Sequence, residues 1–342
     1  MQKKDIYILA IESSCDDTSV AVMRNHFVLS NITASQKIHE QYGGVVPELA
    51  GRDHEKNIVP VVSEALKKAG VEAKELDAVA VTSGPGLMGS LLVGISFAKS
   101  LSLALQIPLI SVNHMQAHIL AHFLEDEKGK KETPRFPFIC LTVSGGHTQL
   151  VLVKDHFEFE VLGQTIDDAV GEAFDKAAKI LGLPYPGGPF IDKYAREGER
   201  TRFNFAPSRV PNLDFSFSGI KTSFLYFIRD HVKEDPHFVE KNLIDICASY
   251  QEHLINSLLK TTAIALDKHK GCDLALAGGV SANGRLRERV AQLTESRKIK
   301  AFIPPLEYCT DNAAMIGAGA YIKFLRNEFS PLTLLPDVKM HL

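Results

Sequence analysis

Cysteine is scarce. The five residues Cys15, Cys140, Cys247, Cys272 and Cys309 are scattered through 342 positions, odd in number and without a CxxC pair. That spacing excludes a disulfide framework and a cysteine-ligated zinc, and it fits a reducing compartment. Charge of one sign is missing as well: Lys and Arg number 38 against 41 Asp and Glu, a net −3. Bulk positive charge therefore does not hold nucleic acid here, and any such partner requires a local patch or an accessory subunit. Long apolar runs are absent too. The stretch Ile6 to Ile11 is too short for a secretory signal, and Leu87 to Val112 is interrupted by Lys99, Gln106 and Pro108. The latter reads as a buried helix running into a buried strand, so no membrane partner is expected and the chain is expected to be cytoplasmic.

What remains is ordinary globular composition. With 45% hydrophobic and 23% charged residues the chain is not disordered, and at roughly 150 residues per domain it predicts two domains. Tyr7 to Ile11 and Thr18 to Met23 read as strands flanking a polar turn, Glu12 to Asp17. A second such unit follows about 130 residues later: strand Phe138 to Val143, turn Ser144-Gly145-Gly146-His147, strand Thr148 to Val153. Helices are expected over Pro47 to Gly70, Leu87 to Leu105, Asp167 to Leu183 and Lys241 to Lys268, and strands over Ala78 to Thr82, Leu109 to Val112 and Leu274 to Ala277. Their alternation predicts an α/β protein with helix-covered sheets. The charged segment Glu125 to Pro137 reads as an exposed loop near the domain boundary, and a last helix is expected over Asp311 to Asn327 with Asp311 as its cap.

Several segments carry candidate chemistry. The tip Glu12-Ser13-Ser14-Cys15-Asp16-Asp17-Thr18 offers hydroxyls for phosphate oxygens and carboxylates for a hydrated cation, or is an ordinary Asp/Ser-rich turn. Val143-Ser144-Gly145-Gly146-His147 lets backbone approach a ligand closely, although a Gly-Gly hairpin is also a structural device. Gly278-Gly279-Val280-Ser281-Ala282-Asn283-Gly284 joins a strand to a helix, where a helix N-terminus meets an anionic ligand; its spacing matches neither a Walker A nor a GxGxxG pattern. Ser83-Gly84-Pro85-Gly86 also joins strand to helix and reads as structural, and Tyr185-Pro186-Gly187-Gly188-Pro189 reads as a rigid loop leading to Asp192.

His114, His118 and His122 recur every four residues, which stacks them along one helix face. An i,i+4 histidine pair is a recurrent metal-binding geometry, but Met115 stands where a zincin carries its glutamate. A third ligand would come from elsewhere, and Asp311 is an acidic candidate. On the helix near Asp168, Glu172 and Asp175, the helix dipole accounts for the early acids and leaves Asp175 unexplained. Arg285, Arg287, Arg289, Arg297, Lys298 and Lys300 form either a nucleic-acid- or partner-facing surface or a solvated helix face.

Taken together, these segments resemble the universal tRNA threonylcarbamoyladenosine transferases. The resemblance runs through IESSCDDTSVAV, YGGVVPELAGRDH, GPGLMGSLLVG, NHMQAH, VSGGHTQL, DDAVGEAFDKAAKILGLPYPGGP, DFSFSGIKT, AGGVSANGRLR and EYCTDNAAMIG, in order, over nearly the whole chain. Ser13 and Asp17 stand where Thr and Glu are frequent in that family. The resemblance implies an actin-like ATPase, sugar-kinase and Hsp70-like fold, with two related domains around a nucleotide cleft. It places residues 1–113 with 312–342 in the first domain and 114–311 in the second. It further implies transfer of a threonylcarbamoyl group from threonylcarbamoyl-adenylate to the exocyclic amine of adenosine 37, in tRNAs reading codons that begin with A, with release of AMP.

By the same resemblance, His114, His118 and Asp311 are ligands of one divalent metal ion per subunit, Fe2+ or Zn2+. Thr142, Val143, Ser144, Gly145 and Gly146 border the phosphate and threonylcarbamoyl groups, while Asp175, Gly188, Asp192 and Asn283 contact the adenine nucleotide or adenylate. Glu12 and Asp16 face the same cleft, with Glu12 the candidate for assisting transfer or orienting the acceptor amine. Implied partners are tRNA, a shorter non-catalytic paralogue forming a heterodimer, and a small P-loop ATPase. The chief alternative is an ATP-dependent small-molecule kinase on the same fold, which would need carboxylates placed for magnesium; a metallopeptidase and a nucleotide-switched scaffold are weaker rivals.

Overall fold

The strand Tyr7–Glu12 (β1) is buried at every position after Tyr7, as befits a central strand covered on both faces. It pairs antiparallel with Asp17–Arg24 (β2), from Tyr7 opposite Arg24 to Glu12 opposite Ser19, and β2 pairs antiparallel with Phe27–Ser35 (β3). The helix Pro47–Ala69 (α1) follows, opened by a proline whose missing N–H costs nothing in the first turn. Ala78–Gly84 (β4) then lies parallel to β1, Met88–Leu105 (α2) crosses over, and Leu109–Asn113 (β5) lies parallel to β4. The resulting sheet has the order β3-β2-β1-β4-β5, and the short helix His114–Leu120 (α3) starts directly at the end of β5. By length and composition alone α2 is apolar enough to cross a membrane. Leu91, Ile95 and Ala98 sit in one core with Ile58, Val61 and Val62 of α1, while Met88, Leu92 and Leu103 are exposed, so the helix expected to be buried is covered along one face only.

The next part of the chain builds the same design again. Phe138–Val143 (β6), Thr148–Asp155 (β7) and Glu158–Gln164 (β8) form an antiparallel meander. Four helices follow: Val170–Ile180 (α4), Gly187–Ala195 (α5), Ser218–Glu234 (α6) and Phe238–Lys268 (α7). Leu274–Ala277 (β9) returns parallel to β6, Gly284–Arg297 (α8) crosses over, and Ala301–Phe302 (β10) lies parallel to β9. Written from its antiparallel edge, this sheet runs β8-β7-β6-β9-β10. Strand for strand, that matches the first sheet in both order and direction. The final helix, Ala313–Leu325 (α9), packs against β1, β2 and α3.

This computed structural model describes residues 5–125, 132–208 and 210–342. It divides into two units, Met1–Thr133 with Pro305–Leu342, and Pro134–Pro304. Of the charged loop expected over Glu125 to Pro137, residues 126–131 lie outside the described ones.

Three expectations need correction. The helix expected from Asp167 begins only at Val170, because Asp167 serves another element: its Oδ1 accepts from the backbone N of Phe217 and Ser218, capping the start of α6. Of the Pro/Gly loop expected before Asp192, Tyr185 and Pro186 lie outside a helix, whereas Gly187, Gly188 and Pro189 open α5, with Asp192 inside that helix. The last helix starts at Ala313, and its cap is Asn312, whose side chain accepts from Met315 N at 3.0 Å; Asp311 is left outside. Sequence reading also passed over β8, an edge strand exposed along most of its length and therefore lacking an apolar run.

The core of the second unit contains an aromatic cluster. Phe224 is fully buried, its ring 4.4 Å from that of Tyr250 and 5.5 Å from that of Phe205. Phe224→Ala should lower stability by roughly 3–5 kcal/mol, read as a shift in the urea unfolding midpoint of the second unit's transition.

Candidate metal centre and ligand-binding loops

Helix α3 is fixed at its first turn by Asn113. The Asn113 Oδ1 accepts from the backbone N of Met115 at 2.8 Å and Gln116 at 3.1 Å, while its Nδ2 donates to the His341 carbonyl at 2.8 Å. The cap sets the roll of the helix and so aims one turn's worth of side chains. His114 and His118, four residues apart, fall on one face with ring centroids 4.7 Å apart. Asp311, released from capping duty, meets both: its Oδ1 lies 3.2 Å from His118 Nε2 and 3.4 Å from His114 Nε2. One ligand atom from each residue lies within 4.8 Å of the others. The third histidine of the repeat, His122, is buried in the 3-10 turn Ala121–Phe123 and stands outside this group.

Behind His114 sits Glu12, with no solvent exposure. Its Oε1 accepts from Ser14 N at 2.5 Å, and its Oε2 accepts from Thr82 Oγ1 at 2.5 Å and lies 3.1 Å from His114 Nδ1. The electrostatics follow from these contacts. Burial alone would lower the His114 pKa, but Asp311 and Glu12 raise it well above the ordinary imidazole range. Burial alone would raise the acids, yet the paired imidazoles hold Asp311 far below the usual carboxylate range and lower Glu12 as well. A proton on His114 thus stands where a cation is favoured.

The donors fit a metal ion. Two imidazoles and one carboxylate suit a divalent transition metal and leave coordination positions for substrate oxygens, and the buried His118 Nδ1 has no hydrogen-bond partner among the described residues. The hydroxyls of the neighbouring tip, by contrast, are spent on the fold. Ser13 Oγ donates to Ser90 O at 3.1 Å, Ser14 Oγ is 3.1 Å from His114 Nδ1, and Thr18 Oγ1 is 2.7 Å from His54 Nδ1. The turn Ser83 to Gly86 is likewise structural, its Ser83 carbonyl accepting from Asp337 N at 2.8 Å.

In the second unit, the candidate ligand loops gather at the carboxy ends of the parallel strands β6 and β9. Thr142 and Val143 are buried in β6, and the turn beyond is closed by Ser144 N donating to His147 O at 2.8 Å and His147 N donating to Ser144 Oγ at 3.0 Å. Gly145 and Gly146 at its tip are exposed. Gly171, at the start of α4, packs on the Ser144 backbone, where an added Cβ would lie 2.5 Å from the carbonyl oxygen. Gly278, after β9, has φ +85° and abuts the Val143 backbone, a place only glycine fits. Asp175 answers the question its position raised: its Oδ1 accepts from Gly187 N at 2.7 Å, pinning the start of α5 beside Gly188. Burial pushes its carboxyl up despite the backbone N–H donors of Gly187 and Gly188.

Asp192 Oδ2 accepts from Arg196 at 3.1 Å and from Gly284 N at 3.5 Å, tying α5 to the start of α8. Asn283 caps α8 through Leu286 N at 2.9 Å and donates to Gln251 Oε1 at 2.7 Å. The starts of α5 and α8 are thereby fixed by side chains from neighbouring segments. Sequence reading missed the residues doing the holding, namely Gly171, Gln251, Thr82 and Asn113. The Asn-x-x capping spacing signals Asn113 in retrospect; the others carry no local signal. Half of the basic cluster is engaged within the protein, Arg285 and Arg289 pairing with Glu252 and Arg287 donating to the carbonyls of Ser281 and Pro304, while Lys298 and Lys300 are exposed.

A family model described as tRNA N6-adenosine threonylcarbamoyltransferase, TsaD, matches residues 27–318. The protein of that description from Christiangramia forsetii is 58% identical over 334 residues, covering 98% of each chain. Its counterpart from Porphyromonas gingivalis is 55% identical over 334 residues, again covering 98% of each. Among solved structures, full-length HypF in its phosphate- and nucleotide-bound form aligns with TM-score 0.60 at 13% identity, over 96% of this chain and 48% of that one. Component A of the (R)-2-hydroxyglutaryl-CoA dehydratase of Acidaminococcus fermentans aligns with TM-score 0.52 at 14% identity, over 93% and 98%. These two likenesses show the fold, the actin-like ATPase and sugar-kinase architecture.

Two outcomes follow from the geometry of the first unit. Asn113→Ala removes the α3 cap and should cost about 1–2 kcal/mol, measured by denaturant unfolding. Asp17, at the start of β2, is pushed by burial from 3.8 to about 7, with Ser35 opposing and Asp16 reinforcing the shift. The native chain therefore keeps a proton that the unfolded chain has already lost, and stability falls as pH rises from about 4 to about 7. Calorimetry of Asp17→Asn should show a melting temperature raised by roughly 2–4 °C at pH 8 and little changed at pH 4.

Proposed function

Because this chain belongs to the tRNA N6-adenosine threonylcarbamoyltransferase family and so modifies tRNA, we propose how its own residues serve that transfer. The acceptor amine N6 of adenosine 37 attacks the carbonyl carbon of threonylcarbamoyl-adenylate. A carbon–nitrogen bond forms, the bond to the phosphate oxygen breaks, AMP leaves, and the amine gives up a proton. The convergence of His114 Nε2, His118 Nε2 and Asp311 Oδ1 on one point carries this reading. A divalent iron or zinc ion bound there supplies Lewis acidity toward a donor oxygen.

The second unit supplies binding. Thr142, Val143, Ser144, Gly145 and Gly146 form a closed turn with two bare glycines, which lets backbone N–H groups come close to the phosphate and threonylcarbamoyl groups. Gly188 and the start of α5 are held by Asp175, and the start of α8 by Asp192 and Asn283, so that both helix starts are fixed before the nucleotide moiety arrives and need no reorganisation on binding. The kinase alternative shares the fold but not the family.

The tRNA surface is composite in this proposal. Net charge is −3, and Arg285 and Arg289 are already paired with Glu252 and Glu288. Much of the phosphate-contacting charge then comes from partners, a shorter paralogue and a small P-loop ATPase, acting in the cytoplasm.

The test supplies the chain and these partners with tRNA transcript and threonylcarbamoyl-adenylate, and digested nucleosides are analysed by mass spectrometry. Wild type should form threonylcarbamoyladenosine, and His114→Ala/His118→Ala should fall to the no-enzyme level. Undiminished product from the double variant would retain the transferase and remove the metal centre. No product from wild type, with partners competent beside another transferase, would return the kinase reading.

A further inference from the structure

Glu12 is the sequence's candidate for assisting transfer or orienting the acceptor amine, yet its side chain has no solvent exposure. We propose instead that Glu12 is a positioning residue: the outer carboxylate that fixes the ring of His114 as a metal ligand, an inference that rests on the metal-centre reading above. The side chain is fully buried. One oxygen accepts from Ser14 N at 2.5 Å, and the other accepts from Thr82 Oγ1 at 2.5 Å while standing 3.1 Å from His114 Nδ1. These contacts occupy Glu12 from three sides, and they come from three separate segments. Ser14 belongs to the β1–β2 turn, Thr82 to β4, and His114 to α3.

The consequence for His114 is chemical as well as steric. A carboxylate only accepts, so the ring nitrogen facing it carries the hydrogen, and the lone pair is assigned to Nε2. That is the nitrogen turned toward Asp311, at 3.4 Å. Thr82 extends the arrangement by one bond, holding Glu12 as Glu12 holds the imidazole. His118 has no such support, since its buried Nδ1 has no hydrogen-bond partner among the described residues. Of the two imidazoles, His114 is therefore the one whose orientation the fold prescribes, and metal retention depends on Glu12 through it.

The experiment strips the full-length chain with a chelator, loads it with Co2+, and measures affinity by chelator competition together with the visible ligand-field spectrum. His118→Ala serves as the control that binding occurs at this centre. Glu12→Gln, which keeps the shape but loses an acceptor, should bind Co2+ roughly 10–100-fold more weakly, with an altered spectrum. Thr82→Val should move both readouts the same way by less, and Thr82→Ser should restore them. Should Glu12→Gln not fold, the Thr82 pair carries the test alone.

A folded Glu12→Gln, or a Thr82→Val, with wild-type affinity and spectrum would overturn the inference; loss of transfer activity alongside it would place Glu12 among the reacting groups. A wild-type chain showing no His118-dependent Co2+ binding would instead overturn the metal centre itself, and this inference with it.

Discussion

A carboxylate shut away from water has to be paired, and the pairing of Glu12 organises the first unit. The residue ends β1, the strand at the middle of its sheet, where desolvation makes an isolated charge costly. Its partners are a backbone N–H from the following turn, a hydroxyl from β4 and an imidazole from α3. Satisfying one buried charge thus locks the β1–β2 turn, the β4 end and the helix carrying His114 and His118 into one arrangement. Asp311 closes it from the α9 side, drawing on Asn312 to cap that helix in its place.

The two sheets share strand order and direction, and each puts its polar chemistry at the carboxy ends of its central parallel strands. They use that position differently. In the first unit the hairpin tip after β1 turns its Ser13, Ser14 and Thr18 hydroxyls inward, to protein partners. In the second, the tip after β6 presents exposed Gly145 and Gly146, while glycines at 171 and 278 allow α4 and the β9 loop to press against its base. One tip is turned inward to protein partners, and the other leaves backbone exposed.

The sequence was informative wherever a property is local. Short apolar runs mark β1, β2, β6 and β7 to within a residue or two, and the four-residue spacing of His114 and His118 survives intact as one helix face. It failed where a residue's partner lies far along the chain. Asp167 looks like a helix start and is a cap for α6, 50 residues on. Asp311 looks like a cap and faces histidines nearly 200 residues earlier, |i−j| being 193 for His118. Glu12 and Asp16 read alike as turn carboxylates, yet Glu12 is buried and Asp16 is not, a difference that only the β1–β4 pairing and the placement of Thr82 create.

The central claim is that His114, His118 and Asp311 together make a metal centre of nitrogen and oxygen donors. X-ray absorption spectroscopy on the purified wild-type chain, with metal content determined by mass spectrometry, tests it most directly. The account predicts one divalent ion per chain, with two imidazoles and light oxygen donors around it and no sulfur. A sulfur shell, a single imidazole, or a chain that retains no ion after loading would contradict it.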